Sequence, residues 1–158
     1  MTYHIDIQVA TNESLPLNEN ELTQLASLAL RDHQKDAELT LRLVDAEEMI
    51  YLNNTYRKQN KTTNVLAFPS SLPEGIELDC PLLGDVIICP QVLAEECLQF
   101  NKSLKEHWSL ILIHGVLHLL GYDHIKEEDA SIMQNLEVKL LAEIGYDNPY
   151  YIEENNLE

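Results

Sequence analysis

Basic residues are scarce in this chain: ten lysines and arginines stand against 27 acids, for a formal net charge of −17. Overall charge of that sign argues against a general nucleic-acid binder, because a phosphate backbone needs cations opposite it. Cysteine is scarce too. Cys80, Cys89 and Cys97 form no CxxC and cannot all pair, which makes a reducing cytoplasm the simplest compartment. Long apolar runs are missing: "SLILI" before His114 falls far short of the roughly 20 residues that span a bilayer, so no membrane association is expected. The opening "MTYHIDIQVA" lacks the basic and apolar regions of a signal peptide. There is also no low-complexity tract and no solenoid-like repeat. What is left is an ordinary globular composition, 45% hydrophobic and 23% charged over 158 residues, expected to form one domain over 1–158. Its end, 152–158, reads as a frayed acidic tail.

The acids are unevenly spread. None occurs between Glu48 and Glu74, where Arg57, Lys58 and Lys61 lie. Taken alone, such a cluster is more often a solvated loop than a binding site; its meaning depends on what it faces.

Periodicity supplies the frame. Tyr3, Ile5, Ile7 and Val9 alternate as in a half-buried strand, and Leu39, Leu41 and Leu43 do so again. "TNVLAFP" and "GDVIIC" read as two further strands. Asn18 with Glu21 forms a capping box for a first helix, and Asp45 is expected to cap a second with Met49, Leu52 and Tyr56 on one side. Pro90 begins a third, and Ser103 with Glu106 suggests a capping box for a fourth that ends at Gly121. A fifth helix carries Ile132, Met133, Leu136, Leu140, Leu141 and Ile144 and stops at Gly145. The expected fold is α+β, a single small mixed four-stranded sheet with about five helices.

The stretch "HGVLHLLGYDH" at 114–124 holds three of the six histidines. His114 and His118 are four apart in a helix apolar nearly all round, so they share one face. Gly121 can take the left-handed conformation that ends a helix and returns the chain, which brings His124 toward the pair. An isolated histidine on an apolar face is usually a hydrogen-bonded core residue, but three in this pattern match a known metal geometry. Three neutral nitrogens suit one zinc ion and leave a fourth position open to water or substrate, as catalytic sites do. Metzincin proteases share the spacing. They carry their general base, a glutamate, directly after the first histidine, where this chain has Gly115. His107 precedes His114 by two helical turns, roughly 10 Å along the axis, and is a candidate for lining a channel to the metal.

At these residues the sequence resembles the YbeY family of bacterial metal-dependent endoribonucleases. The likeness rests on "HGVLHLLGYDH", on "LNNTYRKQNKTTNVLAFP" at 52–69, on "LGDVIICPQV" at 83–92 and on the helix containing "MQNLEVKLL". It implies a zinc-dependent cytoplasmic enzyme that cleaves single-stranded RNA in maturation of the small-subunit ribosomal RNA 3′ end and in ribosome quality control. It further implies His114, His118 and His124 as metal ligands and Arg57 as a catalytic residue. Many relatives read Thr-Asp-Val where this chain has Thr63-Asn64-Val65, so no acid–base role carries over to position 64. On this reading Arg57 clamps the scissile phosphate, Lys58 and Lys61 attract the backbone, and ribosomal small-subunit proteins or assembly factors present the RNA. Two other readings stay open: a metal hydrolase of another substrate, peptidase-like, or a non-enzymatic ribosome assembly factor with a structural zinc.

Overall fold

A computed structural model describes residues 2–33, 35–70 and 82–150. The elements follow the predicted order: β1 (Tyr3–Ala10), α1 (Glu19–Leu30), β2 (Ala37–Val44), α2 (Ala46–Arg57), β3 (Val65–Pro69), β4 (Leu82–Ile88), α3 (Pro90–Phe100), α4 (Leu104–Leu119) and α5 (Glu127–Glu143). The four strands form one mixed sheet in the order β1-β2-β4-β3. β1, β2 and β4 run parallel, and β3 returns antiparallel along β4 as an edge strand. The fold is therefore α+β, as the alternating and helical periods predict.

Strand alternation decides which face carries the main core. Ala37, Leu39, Leu41 and Leu43 of β2 are buried on the face covered by α1 and α4. The opposite face packs a smaller cluster, Val44, Met49, Leu66, Ile87 and Cys89, with Leu52 and Phe68 at its margin. Arg42 projects on that side, where its guanidinium donates to both Glu48 carboxylate oxygens at 2.6 and 2.9 Å.

α4 is apolar all round because it is enclosed: it touches the sheet, α1, α3 and α5. Trp108, Leu112, Ile113, Val116 and Leu117 are at most 1% exposed. Gly115 makes the closest approach to the sheet. A Cβ there would stand 2.7 Å from Val86 Cγ1 and 3.2 Å from Val65 Cγ2, so the helix sits this near to β3 and β4 only with a bare backbone.

The helix ends partly depart from the predicted capping. The Asn18–Glu21 box is present, with reciprocal bonds of 2.8 and 3.1 Å. Asp45 does occupy the N-cap of α2, but its carboxylate accepts from the Thr11 hydroxyl instead of from the helix. Ser103 caps α4 by position only; its side chain makes no capping bond, and the exposed first turn leaves its N–H groups to water. On α5 the buried face is Met133, Glu137, Leu140 and Leu141. Ile132 lies one residue off that stripe and is 57% exposed, and Ile144 follows the helix end at 40%. Tyr56, expected on the inner side of α2, is 66% exposed.

Gly121 and Gly145 close α4 and α5 in the same way. Tyr122 N–H reaches Leu117 O while Gly121 N–H reaches His118 O; Tyr146 and Gly145 repeat the pair on Leu141 and Ala142. Both glycines are left-handed, with φ +100 and +88, and each reverses the chain against its own helix. Cys89 and Cys97 are free, and burial pushes both thiols up from their ordinary range. Cys80 and the predicted tail at 152–158 lie outside the described residues. No described helix is long and apolar enough to cross a membrane.

Candidate metal centre

The left-handed turn at Gly121 brings His124 back to the last turns of α4. His118 Nε2 stands 3.1 Å from His114 Nε2 and 3.0 Å from His124 Nδ1. One nitrogen from each ring forms a group whose members all lie within 4.8 Å of one another. Ligands of a tetrahedral ion at about 2.0–2.1 Å stand about 3.3 Å apart, so this donor set fits a zinc-sized cation. The return loop is fixed by Asp123, whose Oδ1 accepts from the backbone N–H of His124 at 2.6 Å and of Ile125 at 3.1 Å.

His114 is held from behind. Its Nδ1 lies 2.7 Å from Glu137 Oε2, and Glu137 is 1% exposed on α5. The carboxylate requires the proton on Nδ1, which leaves the Nε2 lone pair aimed at the other two rings. Tyr150, carried back by the turn at Gly145, donates its hydroxyl to Glu137 Oε1 at 2.8 Å. Burial, with Glu137 beside it, raises the Tyr150 pKa, so the phenol stays a donor. Burial also lowers the pKa of His118, and the neighbouring His114 and His124 add to the effect, so its neutral, ligating form is favoured.

The imidazoles form one wall of a cavity of about 340 Å³, whose lining also includes Arg57, Thr63, Asn64, Val65, Leu66, Ala67 and Gly115. Arg57 comes from the last turn of α2, rounding the β3 edge from the opposite face of the sheet. Among the described residues it makes no ion pair, and no carboxylate lines the cavity. In a chain with 27 acids, that is a cationic, acid-free recess.

The other candidates sit less centrally. Lys58 and Lys61 are exposed on the loop between Arg57 and Thr63 and do not line the cavity. Lys58 ends α2 in the left-handed region at φ 56, and the Lys61 carbonyl accepts from the buried Asn53 side chain at 2.9 Å, which ties the loop to the helix. His107 does not face the cavity. It is buried, with Nε2 3.0 Å from Glu96, because α3 packs over that part of α4. It reaches the cavity only indirectly: the Asn64 amide lies 3.4 Å from each Glu96 oxygen. That contact gives Asn64 a physical reason, since an aspartate there would set two carboxylates together.

Sequence reasoning missed Glu137 and Tyr150. A signal for the first existed: Glu137 falls at helical spacing between Met133 and Leu140–Leu141, a carboxylate on an apolar stripe. Tyr150 carried none, because its position depends on the turn at Gly145.

The chain is similar to known proteins over most of its length. A family model described as "Endoribonuclease YbeY" matches residues 6–145. A protein of that name from Legionella pneumophila (strain Corby) is 77% identical over 158 residues, covering 100% of both chains. Another, from Pseudomonas putida, is 47% identical over 152 residues and 96% of each chain. The solution structure of TM1509 from Thermotoga maritima is similar in fold, with a TM-score of 0.63 and 26% identity, covering 96% of this chain and 92% of its own.

Proposed function

The chain belongs to the YbeY family of endoribonucleases, and from that premise we propose that it is a zinc-dependent endoribonuclease for single-stranded RNA. One observation carries the chemistry: an arginine with no described ion-pair partner and three convergent imidazoles line a single cavity that no described carboxylate enters. Such a recess suits a phosphodiester, which is an anion throughout its cleavage.

His114, His118 and His124 would hold one ion per chain. When bound, that ion would supply Lewis acidity toward a phosphoryl oxygen and toward water. The remaining work falls to the chain. Arg57 holds the scissile phosphate through two parallel N–H bonds and stabilises charge as it develops. Glu137 and Tyr150 keep the His114 ring from rotating. Gly115 keeps the wall beneath the phosphate free of a side chain, and thus free of the glutamate base a metzincin places there. Lys58 and Lys61 attract the flanking backbone from the exposed loop.

The biological assignment extends the family likeness: maturation of the small-subunit ribosomal RNA 3′ end and ribosome quality control, in the cytoplasm, by one domain spanning 1–158. An exterior at −17 repels free RNA, so the substrate is best presented by ribosomal small-subunit proteins or assembly factors.

The test uses a defined single-stranded RNA, its duplex form and a casein panel with one zinc-loaded preparation. Only the single strand should be cut, and chelation should abolish cutting while the fold persists. Arg57→Ala should keep zinc and lose about 10²–10³ in single-turnover rate, with partial rescue in Arg57→Lys. Parent-rate cleavage by Arg57→Ala would remove the anion clamp from the mechanism.

A further inference from the structure

Among the described residues, β3 has one edge unpaired beside the metal cavity. Its partner is β4, with Val65 opposite Ile88 and Pro69 opposite Gly84. The register fixes which peptide groups face outward. Cys89 N–H bonds Asn64 O at 3.1 Å and Ser70 N–H bonds Leu83 O at 2.8 Å, so these are hydrogen-bonded pairs of the antiparallel ladder. Such pairs recur at every second residue. Leu66 and Phe68 therefore also turn their N–H and C=O toward β4, while those of Val65, Ala67 and Pro69 point away. No described strand pairs with that side, and Val65, Leu66 and Ala67 line the cavity that holds Arg57 and the histidines.

Building on the endoribonuclease reading, we propose that the outer edge of β3 is a nucleobase subsite, in which the backbone N–H and C=O of Ala67, seconded by Val65, bond the Watson–Crick edge of one unpaired base. A single extended residue offers a donor and an acceptor side by side. Adenine and cytosine present an acceptor beside a donor on that edge; uracil and guanine present the reverse. The strand edge meets either pattern by a small shift, so it accepts any base. A base already paired in a duplex has no free Watson–Crick edge to offer, and single-strand selectivity follows without any base-reading side chain.

The same edge is unsuited to a peptide strand. Peptide addition needs a run of alternating donors, and here the outward donors are only Val65 and Ala67, because Pro69 has none. A cavity of about 340 Å³ lies at the small end of the roughly 300–1,000 Å³ range of ligand sites, room for one nucleotide.

Two measurements test the subsite. In the zinc-loaded parent, amide hydrogen exchange at Val65 and Ala67 should slow when a single-stranded oligonucleotide with non-hydrolysable phosphonate linkages binds, and slow less with an abasic version. Unchanged exchange, or protection by an extended peptide instead of the oligonucleotide, would overturn the proposal. The second measurement uses Ala67→Pro, which deletes one outward N–H and repeats what Pro69 already does two residues on. It should keep zinc and cut ordinary single-stranded RNA about three- to tenfold more slowly, the worth of one hydrogen bond. On RNA abasic at the contacted nucleotide, parent and variant should differ less than twofold, because the lost partners are the same pair. Equal losses on both substrates would sink the idea. Should the zinc-loaded parent fail to cut RNA at all, the endoribonuclease reading falls and takes the subsite with it; a parent that cuts while both edge tests fail removes the subsite alone.

Discussion

Replacing Glu137 by glutamine isolates the one buried charge behind the metal site. Glu137 is 1% exposed and has two polar partners, His114 Nδ1 at 2.7 Å and the Tyr150 hydroxyl at 2.8 Å. Glutamine has the same shape, and its one carbonyl oxygen can still accept from His114; its NH2 takes the place of the second acceptor, so the Tyr150 hydroxyl must turn to accept from it as the charge leaves. Losing an outer partner of a ligating histidine costs about 10–100-fold in metal affinity, or about 1.4–2.8 kcal/mol. Charge-assisted bonds are roughly twice as strong as neutral ones, so glutamine should fall near the tenfold end and alanine near the hundredfold end. The metal-free fold should respond differently. A buried carboxylate without a cation carries a desolvation cost that glutamine relieves, so metal-free Glu137→Gln should melt no lower than the parent. The assay is a zinc competition titration against a chromophoric chelator, with melts recorded in the presence and absence of zinc. Zinc affinity within twofold of the parent would refute the orienting role. So would a stability loss equal in the two metal states, which would make Glu137 a structural residue.

Gly115→Ala should destabilise the fold by about 1 kcal/mol net, read by denaturant melts: overpacking against Val86 costs about 1–3 kcal/mol, and the helix regains about 1 from losing a glycine. A stabilised variant would show that the wall yields. His118 has a pKa held below the ordinary histidine value of about 6.5, so the unfolded chain binds its proton first as pH falls. Stability of the metal-free protein should therefore be full above that value and decline below it toward the folded pKa, a trend that thermal melts between pH 7.5 and 5.5 will detect. Binding of a non-cleavable single strand should weaken with salt at a log–log slope no steeper than about −2, from at most three phosphate contacts by Arg57, Lys58 and Lys61, and Lys58→Ala should flatten it by about 0.7. A slope near −5 would mean that other cations hold the RNA.

The fold was legible where one period dominated a segment. The alternation in β1 as far as Ile7 and in β2, the all-round apolarity of α4 and the glycines that end α4 and α5 each have one structural solution, and the structure adopts it; Val9, expected on the half-buried face of β1, is 49% exposed. Legibility dropped where a polar side chain had two partners to choose between. Asp45 and Ser103 occupy the cap positions their sequence suggests, yet Asp45 bonds Thr11 from the loop after β1, and Ser103 leaves its helix end to water. Choices of that kind are made by tertiary neighbours. The same holds for His107: its helical phase is that of His114, but phase says nothing of α3, which covers that part of the stripe and offers Glu96.

At the site, spacing sufficed for the three imidazoles because one helix and one turn carry all of them. Arg57 needed more, since it approaches from the other face of the sheet. Its clue was negative: the absence of acids from Glu48 to Glu74 in a chain otherwise full of them. Within that acid-free stretch, Arg57, Thr63, Asn64, Val65, Leu66 and Ala67 line the cavity. Gly115 lines the same cavity and is bare for a steric reason: its Cβ would meet Val86. The acids that support the centre stand outside the cavity lining: Glu137 behind His114, and Asp123 in the loop that returns His124. Acid thus lies outside the recess that Arg57 and the imidazoles line, whereas a protease of the same histidine spacing carries a glutamate where this chain has Gly115.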